Sequence, residues 1–60
     1  MTVDTLITRI TEASTEADAL AIAGQAPRKL LLAAADQLYV DPYGRTSATV
    51  RRAIVREARS

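Results

Sequence analysis

Five of the chain's eight bases fall between residues 45 and 59: Arg45, Arg51, Arg52, Arg56 and Arg59, against the single acid Glu57. A guanidinium stays charged at any physiological pH. Its planar fork of donors fits phosphate and carboxylate oxygens two at a time. A run this dense points to an anionic partner, most simply nucleic acid. Gly44 strengthens the reading, because glycine lets a backbone approach a phosphate or a groove floor closely. Arg45 beside it is the sharpest candidate contact, and Tyr43 precedes them. Thr46 and Ser47 open the next helical segment, where hydroxyls and free amides can hold a phosphate. Arg51, Arg52, Arg56 and Arg59 would then follow the sugar–phosphate backbone. Arg28 and Lys29 open another segment. Positive charge is unfavourable at a helix start, so a bound phosphate, or carboxylates from the preceding helix, would offset it.

Other chemistries have little to work with. The chain has no cysteine and no histidine. Disulfides and His- or Cys-ligated zinc are therefore excluded, along with the commonest general base near neutral pH. Glu12, Glu16 and Asp18 lie near a helix junction, but acid–base or metal chemistry needs groups converging in a cleft. No enzyme activity, cofactor or metal is expected. No apolar run approaches the ~20 residues that span a bilayer, and no signal-peptide pattern appears. The expected location is cytoplasmic, or nucleoid-associated if the partner is DNA.

The formal net charge of +1 hides a division. Residues 1–25 hold Arg9 against Asp4, Glu12, Glu16 and Asp18, a balance of −3. Residues 26–60 hold seven bases against Asp36, Asp41 and Glu57, a balance of +4. The bland reading of such charge is a solvated surface. The like-charged pair Arg52 and Arg56, four residues apart, mildly destabilises an isolated helix and so favours a binding role.

The elements that must position these groups read as helices. Leu6, Ile10 and Ala13 recur at helical spacing within 3–14, with Val3 and Ile7 on the adjoining stripe. Thr2 or Asp4 caps that start. Over 14–24, Thr15 followed by Asp18 fits a capping box, and Gly24 suits a left-handed helix end. Ala19, Leu20 and Ala23 form its buried stripe. Pro27 suits the first helical position of 26–40, where Leu31, Ala34, Ala35 and Leu38 make one face and Leu30, Leu32 and Ala33 widen it. Pro42 and Gly44 then break the helix, with Val40 as an apolar anchor. Thr46 or Ser47 caps the last helix. There Val50, Ala53, Ile54 and Ala58 form the packed arc, and Arg51, Arg52, Arg56 and Arg59 the opposite one, with Val55 between.

The fold class expected is all-α: a compact bundle of three to four short helices, with an extended loop between the last two. One domain of 60 residues holds residues 1–25 as an amino-terminal helical extension and 26–60 as a helix–loop–helix. A chain this short hides only about 60% of its unfolded surface. With no Phe or Trp and many alanines, the core must be thin. Tyr39 and Tyr43 flank the loop, and at least one is expected to cover the core rather than stack on a base.

Residues 27–58 resemble the helix–extended loop–helix modules of the SAP and Rho N-terminal type. In those, an apolar helix ends in a Leu-Gly-Val/Ile-like step, a short loop with glycine follows, and a capped helix begins Lys-Ala. Here the step is Leu38-Tyr39-Val40, the glycine is Gly44, and the helix opens Ser47-Ala48. The stretch is also similar to the carboxy-terminal DNA-binding domain of actinobacterial H-NS-like xenogeneic silencers, through Val40, Gly44, Arg45, Ala48, Val50 and Ala53. The resemblance implies an SAP-like fold and binding of duplex DNA. Those silencers place Arg or Gln before Gly-Arg to grip the minor groove, where this chain has Tyr43.

A second reading is a protein-interaction module. Small folds such as the peripheral subunit-binding domains of acyltransferase complexes hold acidic partners with basic helix ends. The Val3, Leu6, Ile7 and Ile10 stripe offers a homodimer seam under the same reading.

Overall fold

The computed structural model describes all 60 residues and contains four helices and no strand. Helix α1 spans Val3–Glu12, α2 Glu16–Gly24, α3 Arg28–Gln37 and α4 Ser47–Ala58. Three of them start from a threonine. The hydroxyls of Thr2, Thr15 and Thr46 accept from the amides of Thr5, Asp18 and Thr49 at 3.1, 3.1 and 3.2 Å. Each such cap contributes about 1 kcal/mol.

Helix α3 has no side-chain cap. Pro27 lies one step outside the helix rather than at its first position, extended at φ −66 and ψ 155. Its carbonyl accepts the first helical bonds, from Leu30 and Leu31 at 3.0 and 3.1 Å. The end of α2 also differs from expectation. Gly24 is the last helical residue, and the only positive φ values belong to Tyr39 and Gly44. Instead the chain tightens, with Gln25 and Ala26 donating to Ile22 and Ala23 at 3.2 Å. That right-handed turn carries Ala26 into the core.

Twelve residues make the core, five of them alanines: Ala19, Ala23, Ala26, Ala34 and Ala35. Small side chains let the short helices approach closely around Leu6, Ile10, Leu31, Val50, Ile54 and Val55. Helices α1 and α4 each pack against the other three, while α3 touches α1 and α4. The amino-terminal pair α1 and α2 therefore shares one core with α3 and α4. Leu6 and Ile10 are fully buried within it, so only Val3 and Ile7 of the α1 stripe remain half-buried. On α3, Leu32 stays exposed instead of widening the packed face.

Helix α4 is rotated from the expected arrangement. Val55 is buried as fully as Ile54, and Arg51, which falls between them around the helix, is only half exposed. A helix that meets three neighbours buries a wider arc than a two-sided pattern assumes. Arg51 belongs to the packed side, and its Nε is buried without a hydrogen-bond partner.

Arg59 also leaves the expected basic stripe. Its Nη1 donates to the carbonyls of Ile10 at 3.0 Å and Ala13 at 2.8 Å. The last carbonyls of a helix have no partner of their own, and a cation suits that end of the dipole. Arg59 is also the C-cap residue of α4, where its backbone amide donates to the Val55 and Glu57 carbonyls, so one residue serves two helix ends. The Thr11 hydroxyl, 2.8 Å from the Ile7 carbonyl, is also 3.3 Å from that of Ala58 and reinforces the junction.

Arg59→Ala should cost about 2 kcal/mol, because charged hydrogen bonds contribute more than neutral ones and two carbonyls lose their donor. Urea unfolding monitored by circular dichroism should show this as a lowered midpoint. Arg52→Ala on the exposed side should stay within about 0.5 kcal/mol of the parent.

Candidate nucleic-acid interface

Between α3 and α4 the chain makes two turns that set the site. The first closes α3. The amide of Val40 donates to Ala35 at 2.8 Å and that of Tyr39 to Asp36 at 3.3 Å, the paired bonds of a Schellman cap. Tyr39 occupies the left-handed position, φ 58, which glycine usually fills. Val40 follows it into the core. The second turn joins Pro42 to Arg45, whose amide donates to the Pro42 carbonyl at 3.3 Å. Gly44 supplies the positive φ of 73 that its third position requires. The Asp41 carboxylate accepts from the Tyr43 amide at 3.0 Å and stiffens the approach.

Neither tyrosine covers the core. Tyr39 is 96% exposed and Tyr43 86%. The covering role falls to Val40, which the Schellman geometry turns inward one residue after Tyr39.

Arg45 leaves the second turn toward α4. It shares a cleft of about 290 Å³ with Thr49, Arg52 and Arg56, bounded by Glu16 and Leu20 of α2. Arg45 and Arg56 also line a second depression of about 360 Å³ with Tyr39, Val40, Asp41 and Glu57. Arg45 and Arg56 thus form the ridge between the two, with Arg52 beside them. No carboxylate oxygen lies within 4.0 Å of any arginine or lysine nitrogen. Glu16 and Glu57 border the ridge without pairing with it.

The other candidates fall elsewhere. Arg28 donates from Nη1 to the Ser47 hydroxyl at 2.7 Å. This bond ties the start of α3 to the start of α4. Lys29 is exposed beside it. The Thr46 hydroxyl is taken by the Thr49 amide and lies 3.0 Å from the Thr49 hydroxyl. The amides of Ser47 and Ala48, first in α4, have no intramolecular acceptor. An oxyanion can use them. Tyr43 lines a further cleft with Asp36 and Asp41, adjoining the depression that Arg45 and Arg56 border. Glu16 is a site neighbour the sequence did not expose, because its position depends on how α2 docks on α4.

No group of acidic side chains forms a metal cluster. No helix is long and apolar enough to cross a membrane. Comparison with protein-family models, curated proteins and solved structures gives no match.

Arg51 makes a separable test of the site. Replacing its partly buried charge with an apolar side chain of similar length removes an unsatisfied donor while keeping the packed stem. Arg51→Met should raise stability by about 1 kcal/mol, read as a higher urea midpoint with an unchanged slope.

Proposed function

We propose that the chain is a small nucleic-acid-binding module that holds the backbone of duplex DNA along the Arg45, Arg52 and Arg56 ridge. The observation that carries this reading is the convergence of three exposed guanidiniums that have no carboxylate within 4.0 Å. The free amides of Ser47 and Ala48 add two donors at a positive helix end. Lys29 extends the positive surface at the start of α3. The resemblance to SAP-like and H-NS-like silencer modules supports the same partner. Tyr39 takes its left-handed φ at the place where the resembled step has glycine.

The arrangement favours backbone contact over base reading. Half or more of protein–DNA hydrogen bonds go to phosphate and sugar and fix register without reading sequence. Tyr43 stands where a groove-entering Arg or Gln would be, and it lies between carboxylates rather than phosphate donors. A weak interaction with little sequence preference follows, strengthened only if several copies act together.

Titration of labelled protein with A·T-rich and G·C-rich duplexes at two salt concentrations tests this. Three neutralised phosphates give a slope of about −2.7 for log K against log salt. Arg45→Ala, Arg52→Ala and Arg56→Ala should each reduce that slope by about one phosphate contact, and Arg9→Ala should not. A slope near zero, or an equal loss on Arg9→Ala, would contradict the reading. Binding confined to acidic proteins would favour the interaction-module alternative instead.

A further inference from the structure

We propose that Glu16 is an affinity-setting residue of the arginine ridge, a carboxylate that stands beside the phosphate path and holds the binding of duplex DNA down. The role rests on the nucleic-acid reading and adds the residue that limits it. Glu16 borders two clefts of α4. One is the cleft of about 290 Å³ that Arg45, Arg52 and Arg56 share. The other, of about 500 Å³, is lined by Arg56, Arg59 and Ser60. Glu16 and Arg56 are the two residues common to both, and no other acidic side chain lines either.

Local structure and packing put the carboxylate there. The Thr15 cap fixes where α2 begins, with Glu16 as its first residue. Ala19 and Ala23 are fully buried, and their small size lets α2 lie close on α4. Residues three and four apart share a helix face, so Glu16 lies on the side of Ala19 and Leu20. Leu20 lines the ridge cleft as well. Asp18, two positions on, lines no cleft. Both acids suit the positive start of the helix, but only Glu16 also borders the arginines.

Glu16 forms no ion pair with the ridge. Its charge therefore lowers the positive potential that all three guanidiniums present, rather than neutralising one of them. A phosphate seated among Arg45, Arg52 and Arg56 has this carboxylate as a neighbour. Two like charges in one small cleft repel enough, even in water, to cost about twofold in affinity per phosphate. A side chain that swings onto Arg52 or Arg56 instead occupies donors that a phosphate needs, with the same sign of effect.

Titration of the labelled protein with a duplex at about 0.05 and about 0.2 M salt reads the effect. Glu16→Gln should bind about fivefold tighter at the lower salt, and the gain should shrink at the higher. Asp18→Asn removes an equal charge from the same helix turn, and it should gain less than about twofold because it lies off the ridge. Glu16→Lys should steepen the slope of log K against log salt by about 0.9, one further phosphate contact. A carboxylate that serves only the dipole of α2 would lower the urea midpoint when replaced and leave DNA affinity unchanged. The proposal fails, with the nucleic-acid reading intact, if the parent binds with the expected salt slope but Glu16→Gln binds equally. It fails in the same way if Asp18→Asn gains as much or Glu16→Lys leaves the slope unchanged. A parent without salt-dependent binding overturns both.

Discussion

The contact between the Arg59 guanidinium and the carbonyls of Ile10 and Ala13 closes the bundle. It joins the end of the last helix to the end of the first, across nearly the whole chain. Two helix C-termini would otherwise present unpaired carbonyls and like-signed dipole ends to each other. A cation between them converts that repulsion into a junction. The thin, alanine-rich core could not hold this geometry by area alone, since alanine hides little surface. With the junction made, α4 can meet three neighbours and still leave one flank in water.

That geometry sorts the arginines. Arg59 is structural, Arg51 is caught in the packed arc, and Arg28 bridges two helix starts through Ser47. Arg45, Arg52 and Arg56 are left on the free flank, brought to one cleft by helical spacing and the Gly44 turn. The loop between α3 and α4 carries both signs of charge: Tyr39, Val40 and Asp41 line one cleft with Asp36 and another with Arg45 and Arg56.

Much of the fold was legible from the sequence. Thr15 was readable as a cap outright, while Thr2 and Thr46 were each one of two candidates, beside Asp4 and Ser47, because the cap bond is local but its exact position depends on where the helix begins. Apolar spacing named Leu6, Ile10, Leu31, Ala34, Ala35, Val50 and Ile54 as core for the same reason. Gly44 was readable as a positive-φ turn. What failed depended on tertiary partners. A helical wheel could not show that α4 meets three helices, so Val55 and Arg51 were placed too far toward solvent. Gly24 looked like a helix end because its type permits left-handed backbone, yet docking of Ala26 required a right-handed turn. The left-handed residue turned out to be Tyr39, whose type argues against it. Arg59 looked equivalent to Arg52 and Arg56, since nothing in its neighbours reveals carbonyls that arrive from the other end of the chain.

The interface claim thus concerns which guanidiniums are free. The most direct measurement follows the side-chain Nε–H signals of all seven arginines by NMR as duplex DNA is added at low salt. Arg45, Arg52 and Arg56 should shift together and saturate, while Arg59 stays at its DNA-free position because its Nη1 is held by the carbonyls at the end of α1. Shifts centred on residues 32–43, uniform shifts across all seven arginines, or no shifts at all would contradict the account.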